Sequence, residues 1–422
     1  MRHVSAERAT SRRAFALGLV GLFASACQRP PRARGEVAFW FSYGGNNRKV
    51  LLDLVERFHR EQSAVRVVPT FQGDYFEGLV KLRTGLFVGA VPTITHVVGE
   101  VVPYLARAGV LEDLDGVGDD VIADLEPALS QRGTFDGGER EPLVALPFNR
   151  STPIAFFNGA IFRELGLAAP TTWLELREVA RRGRRDGAAT RWGFECPIDW
   201  WFWTALVGQA GGVLVRDGRI TLGGEAGVRA VELWQSMVHD DRTMRPPPGR
   251  DFNAWEAANG DFLAGRAAMI WTSTAFVKYL EDNASFPVGA APLPGDVARA
   301  VPTGGTFFVM PRGLPDEERR AGLVFLRWMM QPRQASEWAR RTGYMPVSRA
   351  GRADLETSGF FDAHPNFRVA MDQLSVAARW PWSEELFRVQ REAVQPRLEA
   401  AVAQRRDARV VLDEALRVAE GP

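Results

Sequence analysis

The hydrophobic pattern changes period early in the chain. Residues 36–43 (EVAFWFSY) form an apolar run closed by Gly44 and Gly45, which reads as a strand. Val50, Leu51, Leu54, Val55 and Phe58 then recur at helical spacing, and residues 65–69 form a second strand-like run. Strand, helix and strand within about 35 residues make a βαβ unit, which implies a parallel sheet. The pattern continues as helix over 75–87, extended chain over 93–98 and helix over 101–108. Residues 143–157 are extended across Pro147 and Pro153, two prolines that argue against a central strand and for a connection between two bodies.

From Thr172 the pattern is helix-rich, at 173–182, 201–209, 228–238 and 253–264. Strand-like runs return at 267–271 and 305–310, and helices follow over 317–330, 334–341 and 384–404. No fixed-period repeat is present, which argues against solenoids and propellers. The expectation is an α/β chain of two lobes joined by several crossovers. Lobe 1 is expected over approximately 36–148 and 272–330, and lobe 2 over 149–271 and 331–420.

The N-terminus is patterned differently. Arg2, Arg8, Arg12 and Arg13 precede an uncharged stretch from Ala14 to Gln28, the n-region and h-region of an export signal. That stretch is too short to span a bilayer as a helix. Ser11-Arg12-Arg13-Ala14-Phe15 resembles a twin-arginine core, and Ala24-Ser25-Ala26 before Cys27 resembles a lipoprotein cleavage box. Residues 1–26 are therefore expected to be a cleaved signal, Cys27 a lipidation site, and 27–35, rich in Pro and Arg, an extended linker.

Composition sharpens the picture by exclusion. The 422 residues, 46% hydrophobic, are enough for two or three cores. Lys+Arg total 52 and Asp+Glu 51; removing residues 1–26, with four Arg and one Glu, leaves 48 against 50. No single-signed field favours a nucleic acid. With Cys27 assigned to processing, Cys196 has no partner and reads as a buried apolar residue. The five His lack metal-ligand spacing, and G-x-S-x-G, P-loop and dinucleotide motifs are missing. Adjacent acids such as Asp119-Asp120 and Asp240-Asp241 read as solvated turns, although a glycosidase pair could join residues far apart in sequence. No cofactor, metal or catalytic residue is expected, and a monomer that is not an enzyme is the simplest reading.

Six blocks carry a resemblance: 39–45 (FWFSYGG), 68–75 (VPTFQGDY), 147–153 (PFNRSTP), 271–274 (WTST), 302–306 (PTGGT) and 341–347 (RTGYMPV). In this order they resemble the extracellular solute-binding proteins of ABC importers, family 1, and within it the branch that binds sn-glycerol 3-phosphate. The resemblance implies a two-lobed periplasmic-binding-protein fold with the ligand in a cleft between the lobes, and an ABC permease as partner. It places ligand contacts at Tyr75, Ser151, Ser273, Gly305, Tyr344 and Arg391. Taken singly, the tyrosines read as packing residues, the serines as caps, Gly305 as a close-approach glycine and Arg391 as a solvated helix charge. Together they offer hydroxyls, an unhindered N–H and a guanidinium fork, donors suited to a phosphate.

Two departures stand out. The family carboxylate that takes glycerol hydroxyls aligns with Gly99, and its neighbour Glu100 would replace it only if the loop rearranges, because one step along a strand reverses the face. The family's site tryptophans align near Trp200, Trp201 and Trp203, with Trp201 the best match. A wide aromatic wall suits the choline of a glycerophosphodiester or a sugar ring. The alternatives held open are a sugar or oligosaccharide binder and, from another class, an exported hydrolase.

Overall fold

The computed structural model describes residues 32–130, 142–187 and 189–420. The export signal, Cys27 and the first part of the linker lie outside the described residues. The βαβ reading is confirmed at the first sheet. Strand β1 (Glu36–Phe41) buries Val37, Phe39 and Phe41 on alternate positions. The helix Gly45–Glu61 turns Val50, Leu51, Leu54, Val55 and Phe58 inward. Strand β2 (Arg66–Phe71) then pairs parallel with β1 from Glu36↔Arg66 to Phe41↔Phe71. Strand β3 (Ile94–Val98) pairs parallel on the other side of β1.

Later strands follow in chain order as β4 (Leu146–Ser151), β5 (Pro153–Asn158), β6 (Phe194–Glu195), β7 (Val215–Arg216), β8 (Arg219–Ile220) and β9 (Met244–Arg245). Then come β10 (Met269–Ser273), β11 (Val288–Ala291), β12 (Val301–Pro302), β13 (Gly304–Val309) and β14 (Ala377–Ala378). The first sheet has the order β2-β1-β3-β13-β4 and the second β11-β5-β10-β6-β9. Each belongs to one α/β lobe.

The chain crosses between lobes at three neighbouring places. β4 hands over to β5 through Thr152, whose N–H donates to Thr274 Oγ1 (3.2 Å) while the Thr274 N–H donates to the Thr152 carbonyl (3.0 Å). Gln373 Nε2 donates to Thr152 Oγ1 (2.9 Å) and to the Pro153 carbonyl (2.6 Å). The third crossing runs through β12, paired with β14, into β13.

Four expectations need correcting. Pro147 sits in β4, at an edge, as its missing N–H requires, but β5 lies inside the second sheet. Pro153 is tolerated because it is that strand's first residue. The lobe limits also move: β11, inside the expected 272–330 stretch of lobe 1, pairs with β5 of the second sheet. Conversely the helix Pro332–Thr342 docks on the first lobe, through Arg341–Asp53 (2.5 Å) and Arg57–Glu337. The short, Gly-containing β11 has no periodicity to declare it. Finally, the described end of the linker is pinned: Arg32 donates to Thr93 Oγ1 (3.0 Å) and the Val91 carbonyl (2.8 Å) and pairs with Glu318.

Each lobe has an aromatic core. Phe39 packs against Phe308 (5.7 Å) and Phe325 (5.9 Å) in the first. Trp203, Trp234 and Trp271 are fully buried in the second. Each such side chain contributes about 1.5–3 kcal/mol of transfer free energy. Cys196 is buried in the second core.

Candidate functional site

Between the lobes, the predicted residues fall into two groups. The first gathers at the crossings. Asp74 caps the helix Tyr75–Val88, accepting from the Phe76 and Glu77 N–H groups, and so fixes where Tyr75 emerges. The Tyr75 hydroxyl lies 3.1 Å from that of Tyr344. Tyr344 follows Gly343, a left-handed C-cap (φ +94°), and its ring stacks on Trp338 (6.2 Å). Beneath Tyr75, His96 accepts the Ser42 N–H at Nε2 (2.7 Å), so its Nδ1 carries the proton and donates to Thr306 Oγ1 (3.1 Å). Burial drives that imidazole down to about 3, keeping it neutral. Ser273 ends β10 and accepts the Ala275 N–H at 3.1 Å.

The second group follows β13 inward. Ser151 pairs with Gly304 and Arg150 with Gly305, where a bulge interrupts the ladder. Gly305 has φ +91°, and a Cβ there would lie 1.6 Å from the Asn149 carbonyl oxygen, so no other residue fits. A Cβ on Gly304 would lie 2.6 Å from the Trp201 ring, which reaches across from the second lobe. Trp201 is held by Asp199, which accepts its N–H at 2.7 Å, and stacks on Trp255 (5.3 Å, 28°).

Charge concentrates here. Arg150 is 2% exposed and its guanidinium lies over the Phe307 ring at 4.3 Å. A Cβ on Gly99 would be 3.4 Å from Nη1. Burial lowers the Arg150 pKa to about 10, against the pull of Glu100. Glu100, also buried, is pushed up to about 7 by desolvation, with Arg150 opposing and Asp199 reinforcing the rise. The face argument against Glu100 fails, because the backbone leaves the strand at Val98 and Gly99–Val101 is a 3₁₀ turn. No alternation applies there, and Glu100 faces Arg150 and Asp199.

Several buried polar atoms at this seam have no hydrogen-bond partner: the Tyr43 hydroxyl, Arg150 Nε and Nη1, and Trp201 Nε1. Such atoms cost about 1–3 kcal/mol each. Asn149, Arg150, Tyr43 and Asp199 were not among the residues expected to matter. The signal available for Arg150 was that it is the one charge inside the 147–153 block.

Arg391 sits at the rim. Its guanidinium lies 3.9 Å over Phe76, next to Tyr75, and Phe387 stacks on the same ring (6.5 Å). The expected continuous tail helix instead widens to a π-turn over Gln390–Val394. Pro396 lacks the N–H that would bond the Glu392 carbonyl, and the widened turn presents Arg391. Of the three aligned tryptophans, Trp203 belongs to the core and donates to the Gly227 carbonyl (3.2 Å), while Trp200 packs edge-on to Trp380 (5.1 Å). Only Trp201 touches β13's glycines. Among the described residues no group of three or more His, Cys, Asp or Glu could hold a metal, and no helix is long and apolar enough to cross a membrane.

Comparison with known proteins places this geometry. A family model described as bacterial extracellular solute-binding protein matches residues 53–368. The sn-glycerol-3-phosphate-binding periplasmic protein UgpB of Escherichia coli O1:K1 is 26% identical over 403 residues, covering 88% of this chain and 86% of that protein. Its counterpart from Pectobacterium atrosepticum is 23% identical over 364 residues, 81% and 80% of the two chains. Among solved structures, UgpB from Mycobacterium tuberculosis in complex with glycerophosphocholine has a TM-score of 0.80 at 23% identity, covering 92% of this chain and 98% of that one. The cyclic alpha-maltosyl-1,6-maltose binding protein of Arthrobacter globiformis has a TM-score of 0.75 at 24% identity, with the same coverage.

Proposed function

The chain belongs to the bacterial extracellular solute-binding proteins, and on that premise we propose that it captures sn-glycerol 3-phosphate or a glycerophosphodiester and delivers it to an ABC permease. In this reading the mature protein is exported and tethered to the outer face of the cell membrane through a lipidated Cys27. The observation that carries the reading is the seam between the lobes, which holds buried donors without partners and two guanidinium groups. Tyr75, Ser151, Ser273, Tyr344 and the Gly305 N–H would bond phosphate or glycerol oxygens. Arg391 would pair with the phosphate, and Trp201 would cover the remainder of the solute. Glu100 would accept a hydroxyl.

The mechanism is lobe closure. A solute that touches both lobes binds the closed state better than the open one, and only that difference shifts the population. In this reading, contacts across the seam such as Arg107–Glu384 (3.4 Å) and Arg391 on Phe76 would hold the closed state. At about 1.5–3 kcal/mol per hydrogen bond to a charged group, five donors suffice for a micromolar solute near −8 kcal/mol after losses.

A second reading, a sugar or oligosaccharide binder, is favoured by the Trp201–Trp255 stack, which suits a sugar ring. Thermal unfolding with glycerol 3-phosphate, glycerophosphocholine and a disaccharide separates the two. A solute at about 100 times its Kd adds about 2.7 kcal/mol of stability. The phosphate reading expects stabilisation by the charged solutes, its loss in Arg391→Ala, and glycerophosphocholine recovered intact. Stabilisation by the disaccharide alone would sink it, and hydrolysis of the diester would sink the pure binding role.

A further inference from the structure

Arg150 is a cation without a matching partner. It is 2% exposed, and a buried charge is expensive unless paired and hydrogen-bonded. Glu100 is near enough to act on it, and Asp199 near enough to act on Glu100. Yet nothing bonds its Nε or Nη1. Asp199 is committed to capping the Trp201 N–H. The guanidinium carbon lies 4.3 Å from the Phe307 ring centroid, a contact that satisfies none of its N–H donors. Because residue 99 is glycine, no side chain covers Nη1 from that side.

From this geometry we infer that Arg150 is a second anion-binding point in the cleft. The solute then carries two anionic groups: a phosphate, and at its other end a carboxylate or second phosphate that Arg150 grips with its fork. The inference rests on the phosphate reading above and narrows it. A planar guanidinium bonds a carboxylate or phosphate through two parallel N–H donors, which a hydroxyl cannot match. Glu100 is the local counter-charge while the site is empty and must be neutralised or displaced when an anion arrives.

Calorimetry on the full chain with 3-phosphoglycerate and glycerol 3-phosphate tests this. The wild type is expected to bind 3-phosphoglycerate about tenfold more tightly or better. Arg150→Gln is expected to bring the two affinities within about threefold of each other while glycerol 3-phosphate still binds, and Arg150→Lys, which keeps the charge without the fork, to fall between. Equal or better binding of glycerol 3-phosphate by the wild type would overturn the inference, and so would an unchanged preference in Arg150→Gln. Should Arg150→Gln fail to fold by circular dichroism, an unchanged preference in Arg150→Lys overturns it instead. If neither phosphate solute binds but a neutral disaccharide does, the phosphate reading itself has failed, a result distinct from the loss of preference.

Discussion

The two ends of the interlobe seam treat polar groups in opposite ways. At the crossings, hydroxyls and amides satisfy one another: Thr152 with Thr274, Gln373 with Thr152 and Pro153, Tyr75 with Tyr344, Ser273 with Ala275. Further along β13, Arg150 and Trp201 are as deeply buried, yet Arg150 Nε and Nη1 and Trp201 Nε1 lack hydrogen-bond partners. Burial alone therefore does not separate scaffold from site. A satisfied buried network rigidifies the crossings and costs nothing further, whereas unsatisfied groups store a desolvation penalty that a bound solute can relieve. In the proposed reading the first end is the pivot and the second the receptor.

The largest expected effect falls where the two ends join. Gly305 carries the bulge between them, and its left-handed backbone and the Asn149 carbonyl both exclude a side chain. Gly305→Ala should cost about 3 kcal/mol or more of folding stability, from strain and a backbone clash together. Denaturant unfolding measures it. A loss under about 1 kcal/mol would mean that β13 and β4 can separate freely there, and the division into pivot and receptor would lose its boundary.

The next effect probes the receptor end alone. Glu100 rises in the folded state from 4.5 to about 7. Below pH 4.5 both states hold the proton, so this group imposes no penalty. As pH rises, the unfolded chain releases the proton first while the folded one keeps it, so stability falls until about pH 7 and then levels off. The shift corresponds to about 3 kcal/mol. Glu195, also raised to about 7 beside Arg245, contributes with the same sign, and His96, lowered to about 3, with the opposite sign. The measurement is therefore the difference between wild type and Glu100→Gln, which should be more stable than wild type at pH 8 and nearly equal at pH 4. A difference independent of pH would mean that Glu100 is solvated in the folded state rather than buried at the seam.

Sequence and structure agree most where period carries the information. The βαβ opening, the helices with strong apolar stripes and the crossing at Pro147 and Pro153 were legible because each rests on local pattern. The helices Arg349–Thr357 and Ala408–Glu420 were not anticipated, and neither was strand β11. Arg349–Thr357 and β11 are short and contain Gly, so tertiary packing defines them, whereas Ala408–Glu420 carries a clear stripe of Val411, Leu412 and Ala415 beyond the expected end of the tail helix at Gln404. For the site, the tyrosines, serines and Gly305 were legible only as a set of family blocks. Arg150 and Asn149 stood inside one of those blocks and were passed over, because a buried unpaired charge is a property of the fold and leaves no mark in the spacing. The face argument on Glu100 failed for a related reason: it assumed strand geometry one residue past the point where the strand ends.

The smallest effect returns to the pivot. Tyr344→Phe removes one hydroxyl from the 3.1 Å contact with Tyr75 and leaves the stacking on Trp338 intact. Tyr75 is the more exposed partner and its hydroxyl also bonds the Asn149 side chain, so it does not become orphaned. The loss should be about 1 kcal/mol of stability, the net worth of an ordinary hydrogen bond. If Tyr344 is only part of the pivot, solute affinity should change by less than about threefold in the same variant. If instead the hydroxyl leaves Tyr75 to bond the solute on closure, affinity should fall about tenfold while stability of the empty protein barely moves. Calorimetry beside thermal unfolding of this one variant thus decides whether the tyrosine pair belongs to the satisfied end of the seam or is lent to the receptor.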